Sequence, residues 1–270
     1  MKLRVWRYAG RLSLLTISAL TCPTIAQTVN VPNGLPQTPI ATYEELGMGG
    51  WKPPTAGATA TVGPTGNSNA SSSSTPTSSG SALDVMNAQS WGYQAGANAS
   101  ALGVNPDALA ATCKVESQCQ SITTHATGST ITGAFQMSDG TYQEEMAKAL
   151  QSNPGLAASI GDSGLSGQTD PATQAIAAAQ YLKDAAVQLQ SSGVDNPTAL
   201  DTRAFYNFGG TNGAAVAQAD SDMTMAAAMP DVSQDTLTKN GIVPGETVGQ
   251  WRAAVAAQMG TSANAPVLTS

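Results

Sequence analysis

Beyond residue 82 the chain signals helix starts in one recurrent way, a side-chain cap followed directly by proline. The pattern stands at Asn105-Pro106, Asp170-Pro171 and Asn196-Pro197. Asn and Asp oxygens satisfy the free amides of a first helical turn, and proline fits there because its missing N–H is not needed. Ser138 predicts another helix, running through Thr141 and Met146 to about Leu150. The longest extends from Pro171 to about Gln190, with Ile176, Ala179, Leu182, Ala186 and Leu189 along one side. A last helix is expected from about Val248 to Met259, closed by Gly260. Strand-like alternation is scarce and allows at most a small hairpin around Ser121 to Thr132. The expectation is one mainly α domain whose many alanines let helices pack closely.

The helix opened by Asn105 carries a carboxylate where a structural helix least wants one. At about 100° per residue, Leu109, Cys113 and Glu116 share a face, while Asp107, Lys114 and Gln118 point elsewhere. Glu116 thus lies on the inward stripe and close to the negative end of the helix. Burial and the macrodipole both disfavour its ionised form and raise its pKa. A raised carboxyl pKa suits a general acid near neutral pH. Glu116 is the candidate catalytic residue.

Its surroundings carry a resemblance. Val115-Glu116-Ser117 is followed by Thr132-Gly133-Ala134-Phe135-Gln136-Met137, then Asp170-Pro171, then Arg203-Ala204-Phe205-Tyr206-Asn207-Phe208-Gly209. In order and rough spacing these segments resemble the lytic transglycosylases of the soluble-lytic-transglycosylase type. That family has a lysozyme-like fold, a Glu-Ser pair, a Gly-Leu-Met-Gln-like turn and an Ala-Tyr-Asn-Ala-Gly-like segment. The resemblance covers roughly residues 84 to 260. Ala134-Phe135 replaces the Leu-Met pair, and Phe205 and Phe208 replace the alanines around Tyr-Asn, departures expected to alter the sugar subsites.

The resemblance implies a lysozyme-like single domain that cleaves the β-1,4 bond between N-acetylmuramic acid and N-acetylglucosamine in peptidoglycan. Glu116 acts first as acid and then as base toward the C6 hydroxyl, leaving a 1,6-anhydro end. Tyr206 would approach Glu116, orient it by a hydrogen bond and cover it with its ring. Asn207 would hold the local loop or a sugar amide. The plainer alternative for this pair is a core aromatic and a turn residue. Gln136 can bond an N-acetyl or hydroxyl group through both ends of its amide, or equally cap a turn. Ser117 joins the substrate-binding set, although a helix-end hydroxyl bonded to backbone explains it as well. Phe135, Tyr142 and Phe208 are either sugar-stacking surfaces or core.

A glycosidase with two catalytic carboxylates needs a second within roughly 5–9.5 Å. Asp139 belongs to the first turn of its helix, and the 3.6-residue period assigns Glu144 and Glu145 to a solvated surface, so one carboxylate is expected to suffice. No cofactor and no metal are implied, because His125, alone in a Thr-rich loop and expected to be exposed, is the only histidine. Two alternatives stay open. One is a goose-lysozyme-like hydrolytic muramidase, the other a non-catalytic peptidoglycan-binding assembly protein.

The first 26 residues have the form of a secretory signal: Lys2, Arg4, Arg7 and Arg11, a short apolar stretch from Leu12 to Leu20, then Thr24-Ile25-Ala26. That stretch is too short to favour a spanning helix, so no stable membrane insertion is expected. A lipid anchor on Cys22 is the alternative, against which Ala19-Leu20-Thr21 is a poor lipoprotein box. Residues 27–54 read as an N-terminal tail that includes the 43–51 stretch, 55–82 as a flexible Ser/Thr/Gly/Ala-rich linker, 83–262 as the catalytic domain, and 263–270 as a C-terminal tail. Cleavage removes four of 11 basic residues and none of 18 acidic ones, leaving a formal charge of −11. Such a chain repels nucleic acid and anionic membranes. The expected location is periplasmic or secreted. By similarity to small enzymes that open the wall for secretion or conjugation machines, such a machine is the expected partner.

Export leaves Cys113 and Cys119 in an oxidising compartment. Six residues apart in a continuous helix they would be separated by about 9 Å, beyond the ~7 Å limit for bridging. A disulfide therefore requires the helix to end or bend just after Glu116; the alternative is two unpaired thiols.

Overall fold

A computed structural model of the chain describes residues 81–123 and 128–269. The expected signal peptide, the N-terminal tail with its 43–51 stretch, nearly all of the linker, Cys22 and His125 lie outside the described residues. The described part is a mainly α single domain. Its helices are α1 (Ala82–Asn87), α2 (Gly92–Ala101), α3 (Pro106–Ser117), α4 (Asp139–Ser152), α5 (Pro171–Ser191), α6 (Ala199–Gln218), α7 (Met225–Ala228), α8 (Gln234–Lys239) and α9 (Val248–Met259). Short 3-10 turns occupy Pro154–Ser159, Leu165–Thr169 and Gly260–Asn264. None of these helices is long and apolar enough to cross a membrane. Where a hairpin is the most that the sequence allows, isolated bridges join Ile122 to Gly133 and Thr132 to Met137, with no strand among the described residues.

α3 is the central helix. The Asn105 side chain accepts from the Asp107 amide (3.0 Å), and Pro106 fills the first turn. Every residue from Ala108 to Ser117 except Lys114 is buried. A helix apolar nearly all round belongs in a core rather than on a surface, and α3 touches α1, α2, α5, α6 and α9. α5 begins where Asp170 accepts from the Thr173 amide (3.3 Å) and is buried continuously from Thr173 to Leu182. Both interiors are alanine-rich, so little side chain separates neighbouring helices.

α6 starts two residues later than Asn196-Pro197 predicts. Thr198 is the cap, in a reciprocal box with Asp201, and the Pro197 carbonyl is taken instead by the Val267 amide (2.9 Å). The helix breaks at Gly209 (φ 73°, ψ 175°), a left-handed conformation that glycine adopts without strain. Past the break the chain folds back closely. A Cβ on Gly213 would lie 2.5 Å from the Phe205 backbone, so only glycine fits.

The expected C-terminal tail is part of the fold. Its backbone runs as a strap: Ala199 N–H donates to Ala265 O (2.9 Å), Val267 N–H to Pro197 O (2.9 Å), Asn105 N–H to Val267 O (2.8 Å) and Thr269 N–H to Gly103 O (3.0 Å). Val267 is fully buried, which contributes roughly 1.5–3 kcal/mol. The strap thus ties the start of α3 to the start of α6. At the other end of the domain, Ser81 and Ala82, assigned by composition to the linker, form the cap and first residue of α1.

α3 stops at Ser117. Gln118 (φ 55°) and Cys119 (φ 56°) are both left-handed, and this turn carries the Cys119 amide back onto the Cys113 carbonyl (3.0 Å). The two Cα atoms are 4.8 Å apart and the sulfurs form a disulfide. The helix ends between the cysteines, as their spacing requires. Cys119→Ser is therefore expected to lower stability by about 2 kcal/mol, the chain-entropy value for so short a loop. Urea unfolding of wild type with and without reductant, beside the variant, measures it. Coincident midpoints would show that the bridge restrains nothing.

Candidate active site

Three sequence-distant segments meet at the C-terminal end of α3. Ser117 Oγ, on α3, donates to Ala134 O (2.6 Å) in the 132–137 loop. Tyr206 Oη, on α6, donates to Phe135 O in the same loop (2.7 Å). Arg203, one turn earlier on α6, forms an ion pair with Glu116 through Nη1 and Oε1. Direct bonds thus bring the Glu-Ser pair, the Gly-Ala-Phe-Gln turn and the Tyr-Asn segment together.

The loop is shaped by neutral amides. Gln174, fully buried on α5, accepts from the Phe135 amide through Oε1 (2.9 Å) and donates from Nε2 to Thr132 O (2.8 Å). Gln168 donates to Met137 O (2.8 Å). Gly133 (φ 86°) lies so close to Gln174 that an added Cβ would sit 2.2 Å from its Oε1. Gln136 adopts φ 46° and donates from Nε2 to Gly133 O (2.6 Å), closing the turn on itself.

Glu116 is 5% exposed and Arg203 4%. Burial pushes the Glu116 carboxyl above its ordinary pKa, while the charge and hydrogen bond of Arg203 pull it back. Oε1 is committed to Arg203; among the described residues Oε2 accepts no hydrogen bond. The guanidinium also lies 5.9 Å from the centroid of the Tyr206 ring, a cation–π distance.

Tyr206 does not bond Glu116 as the resemblance implies. Its only hydroxyl hydrogen goes to Phe135 O, and Arg203 holds Glu116 instead. The ring still stands close enough for the Glu116 charge to be felt. Burial first, then the Glu116 charge, push the Tyr206 phenol well above its usual pKa. Ser117 and Gln136 spend their donors on backbone, Ser117 on Ala134 and Gln136 on Gly133, so both serve the loop's shape. Asn207 differs: it is half-buried, and its Oδ1 is a buried acceptor without a partner. Among the expected substrate-binding residues it keeps a polar atom free.

The departures from the family pattern all turn inward. Phe135 is fully buried with its ring edge-on to Trp91 (6.1 Å), Phe208 packs on Trp251 (5.8 Å), and Phe205 sits with Tyr181 and Leu189. They are core, as is Tyr142, and none lines a sugar surface. The sequence-based expectations give neither Arg203 nor Gln174 a role. The signal available for each is a polar residue in an apolar helical stretch, at 203 before Ala-Phe-Tyr and at 174 before five residues of Ala and Ile.

Glu145 also corrects an expectation. Glu144 is 47% exposed as predicted, but the Glu145 side chain is fully buried, about one turn from Tyr142 on one side and Ala149 on the other, on the face that meets α5. Lys148 bridges it (2.9 Å) to Glu144 (3.0 Å) and Asp184 (3.3 Å). Gln180 Nε2 donates to Asp184 Oδ1 (2.6 Å), leaving Gln180 Oε1 and Glu145 Oε2 as buried acceptors without partners. Burial outweighs Lys148 and raises the Glu145 pKa to about 7. Asp139 opens α4, half-exposed, where its charge suits the helix end. Among the described residues no group of His, Cys, Asp and Glu is arranged to hold a metal ion.

A folded-state pKa above the unfolded value gives stability that is full at acid pH and lost as pH rises through it. For Glu145 the window is from 4.5 to about 7. Across that window, wild type should lose on the order of 3 kcal/mol relative to Glu145→Gln, which keeps the shape but cannot ionise. Urea unfolding of both proteins at the two pH values decides it; parallel pH dependences would remove Glu145 as a titrating buried group.

Compared with models of protein families, with curated proteins and with solved structures, the chain matches none. A functional reading rests on the site itself.

Proposed function

We propose that this chain is a peptidoglycan lytic transglycosylase in which Glu116 gives a proton to the glycosidic oxygen and then takes one from the C6 hydroxyl of the same N-acetylmuramic acid. The observation that carries the proposal is the meeting of a buried carboxylate with the 132–137 loop and the Tyr206-Asn207 face. The C1–O bond breaks as the leaving oxygen is protonated; the C6 oxygen closes on C1, and its proton returns to Glu116. No water enters, and the attacking hydroxyl is already part of the ring at high effective concentration. Asn207, half-buried beside Tyr206, would join a sugar hydroxyl or amide only by turning its buried, unpaired Oδ1 outward. Similarity to the small secretion- and conjugation-associated enzymes extends the proposal to a periplasmic or secreted protein that works beside such a machine.

One observation favours the hydrolytic alternative. Glu145 is a second buried carboxylate, on the face of α4 that meets α5. Product chemistry separates the two. Purified sacculi treated with the protein in heavy-oxygen water should release muropeptides ending in 1,6-anhydromuramic acid, lighter by one water and free of label. Labelled reducing ends would establish hydrolysis and make Glu145 the first second carboxylate to test.

Glu116→Gln is nearly isosteric, remains a partner for Arg203, and cannot deliver a proton. Release of soluble fragments should fall about 10²-fold or more with the helical signal unchanged. A folded variant retaining a tenth of wild-type turnover would falsify the catalytic assignment.

A further inference from the structure

The resemblance gives Arg203 no role, yet its side chain is hydrogen-bonded to Glu116. Stability does not explain it well. Taking two charges out of water costs several kcal/mol for each ion, and apolar residues of similar volume commonly replace such pairs without loss. The geometry suggests another use. Nη1 alone meets Oε1, and among the described residues the buried Arg203 Nε has no partner, so the pair is not the two-pronged fork that would engage both carboxylate oxygens. One oxygen of Glu116 is held, and among the described residues the other accepts no hydrogen bond.

We propose that Arg203 is a positioning residue for Glu116: by holding Oε1 it leaves Oε2 to carry the proton that is given to the glycosidic oxygen and later recovered from the sugar hydroxyl. The proposal rests on Glu116 being the catalyst. One carboxylate that works in both directions needs a proton affinity neither too low to donate nor too high to let go. Burial alone drives it high, and a fixed cation beside the buried group opposes that drive.

The other charged and titratable groups around α3 are engaged elsewhere. From α6, Tyr206 donates to Phe135 O, and Asp201 closes the cap with Thr198. From α5, Tyr181 donates to Phe205 O (3.0 Å). Glu145, Lys148 and Asp184 form their own cluster between α4 and α5. Asp84 caps α1, α2 carries no Asp, Glu, Lys or Arg, and Arg252 of α9 donates to Val216 and Ala217 carbonyls. On α3 itself, Asp107 meets Ser262 at the far end (3.1 Å), and Lys114 is its one residue beyond Asp107 that is not buried.

The test is a carbon-13 titration of the Glu116 carboxyl, assigned by its loss in Glu116→Gln, in wild type, Arg203→Met and Arg203→Lys. Beside it runs the pH profile of kcat/KM for release of anhydromuropeptides from sacculi. In Arg203→Met the carboxyl midpoint should rise by at least about one pH unit, and the kcat/KM profile should move with it. Arg203→Lys should bring both back toward wild type. A residue that only braced the fold would lower activity at every pH and leave both midpoints in place, and that result overturns the proposal. So does a carboxyl midpoint that moves without the kcat/KM profile. Should Arg203→Met not fold, the nitrogen-15 signal of Arg203 Nε in wild type must titrate with the Glu116 midpoint; a flat response there is equally fatal. Wild type that releases no anhydro product would instead defeat the proposed function, a result distinct from product released with unmoved midpoints.

Discussion

Glu116 and Arg203 face one another across the junction of α3 and α6, each almost wholly removed from water. Neither charge is tolerable there alone, and deleting one partner of such a pair commonly costs about 3–5 kcal/mol because the other stays buried. The surrounding structure fixes the encounter from several directions. The strap at 265–269 hydrogen-bonds the N-terminal ends of both helices that carry the pair, setting where Asn105 and Ala199 begin. The disulfide and its left-handed turn end α3 one residue past Glu116. Gly209 ends the first half of α6 six residues past Arg203. The two helices are therefore set at both ends, which leaves the pair little freedom to slide apart.

What could be read from the sequence follows the range of the interaction that decides it. Asn105-Pro106 and Asp170-Pro171 start helices as predicted because capping is settled within a few residues. Asn196-Pro197 does not, because its proline carbonyl is claimed by Val267, seventy residues away, and Thr198 with Asp201 makes the better local cap. The cysteine pair was legible for a different reason: helical rise alone forbids the bridge unless the helix stops. The significance of Arg203 depends on a carboxylate 87 residues earlier, and the one local mark, a charge in an apolar stretch, does not name that partner. The helical period puts Glu145 on the solvated surface with Glu144, yet Glu145 lies within the α4–α5 contact, at whose margin the half-exposed Lys148 meets both. Periodicity predicted surface there; packing decided otherwise.

The loop between Thr132 and Met137 shows how a buried, irregular backbone is kept whole without adding charge. Its amides and carbonyls cannot all be left to water, and unpaired groups in such a place cost about 1–3 kcal/mol each. Three glutamines meet that need: Gln174 takes one donor and one acceptor, Gln168 takes the Met137 carbonyl, and Gln136 closes the turn. A carboxylate in the same positions could accept but not donate, and it would titrate. A neutral amide does both and holds its charge state at every pH. The loop that receives Ser117 and Tyr206 is thus indifferent to pH, while Glu116, next to Ser117, and Glu145, in the α4–α5 contact, are not. Proton uptake near the site can then change the carboxyls without changing the backbone that frames them, which is the separation a carboxyl needs if it is to lose a proton and regain it in one unmoving place.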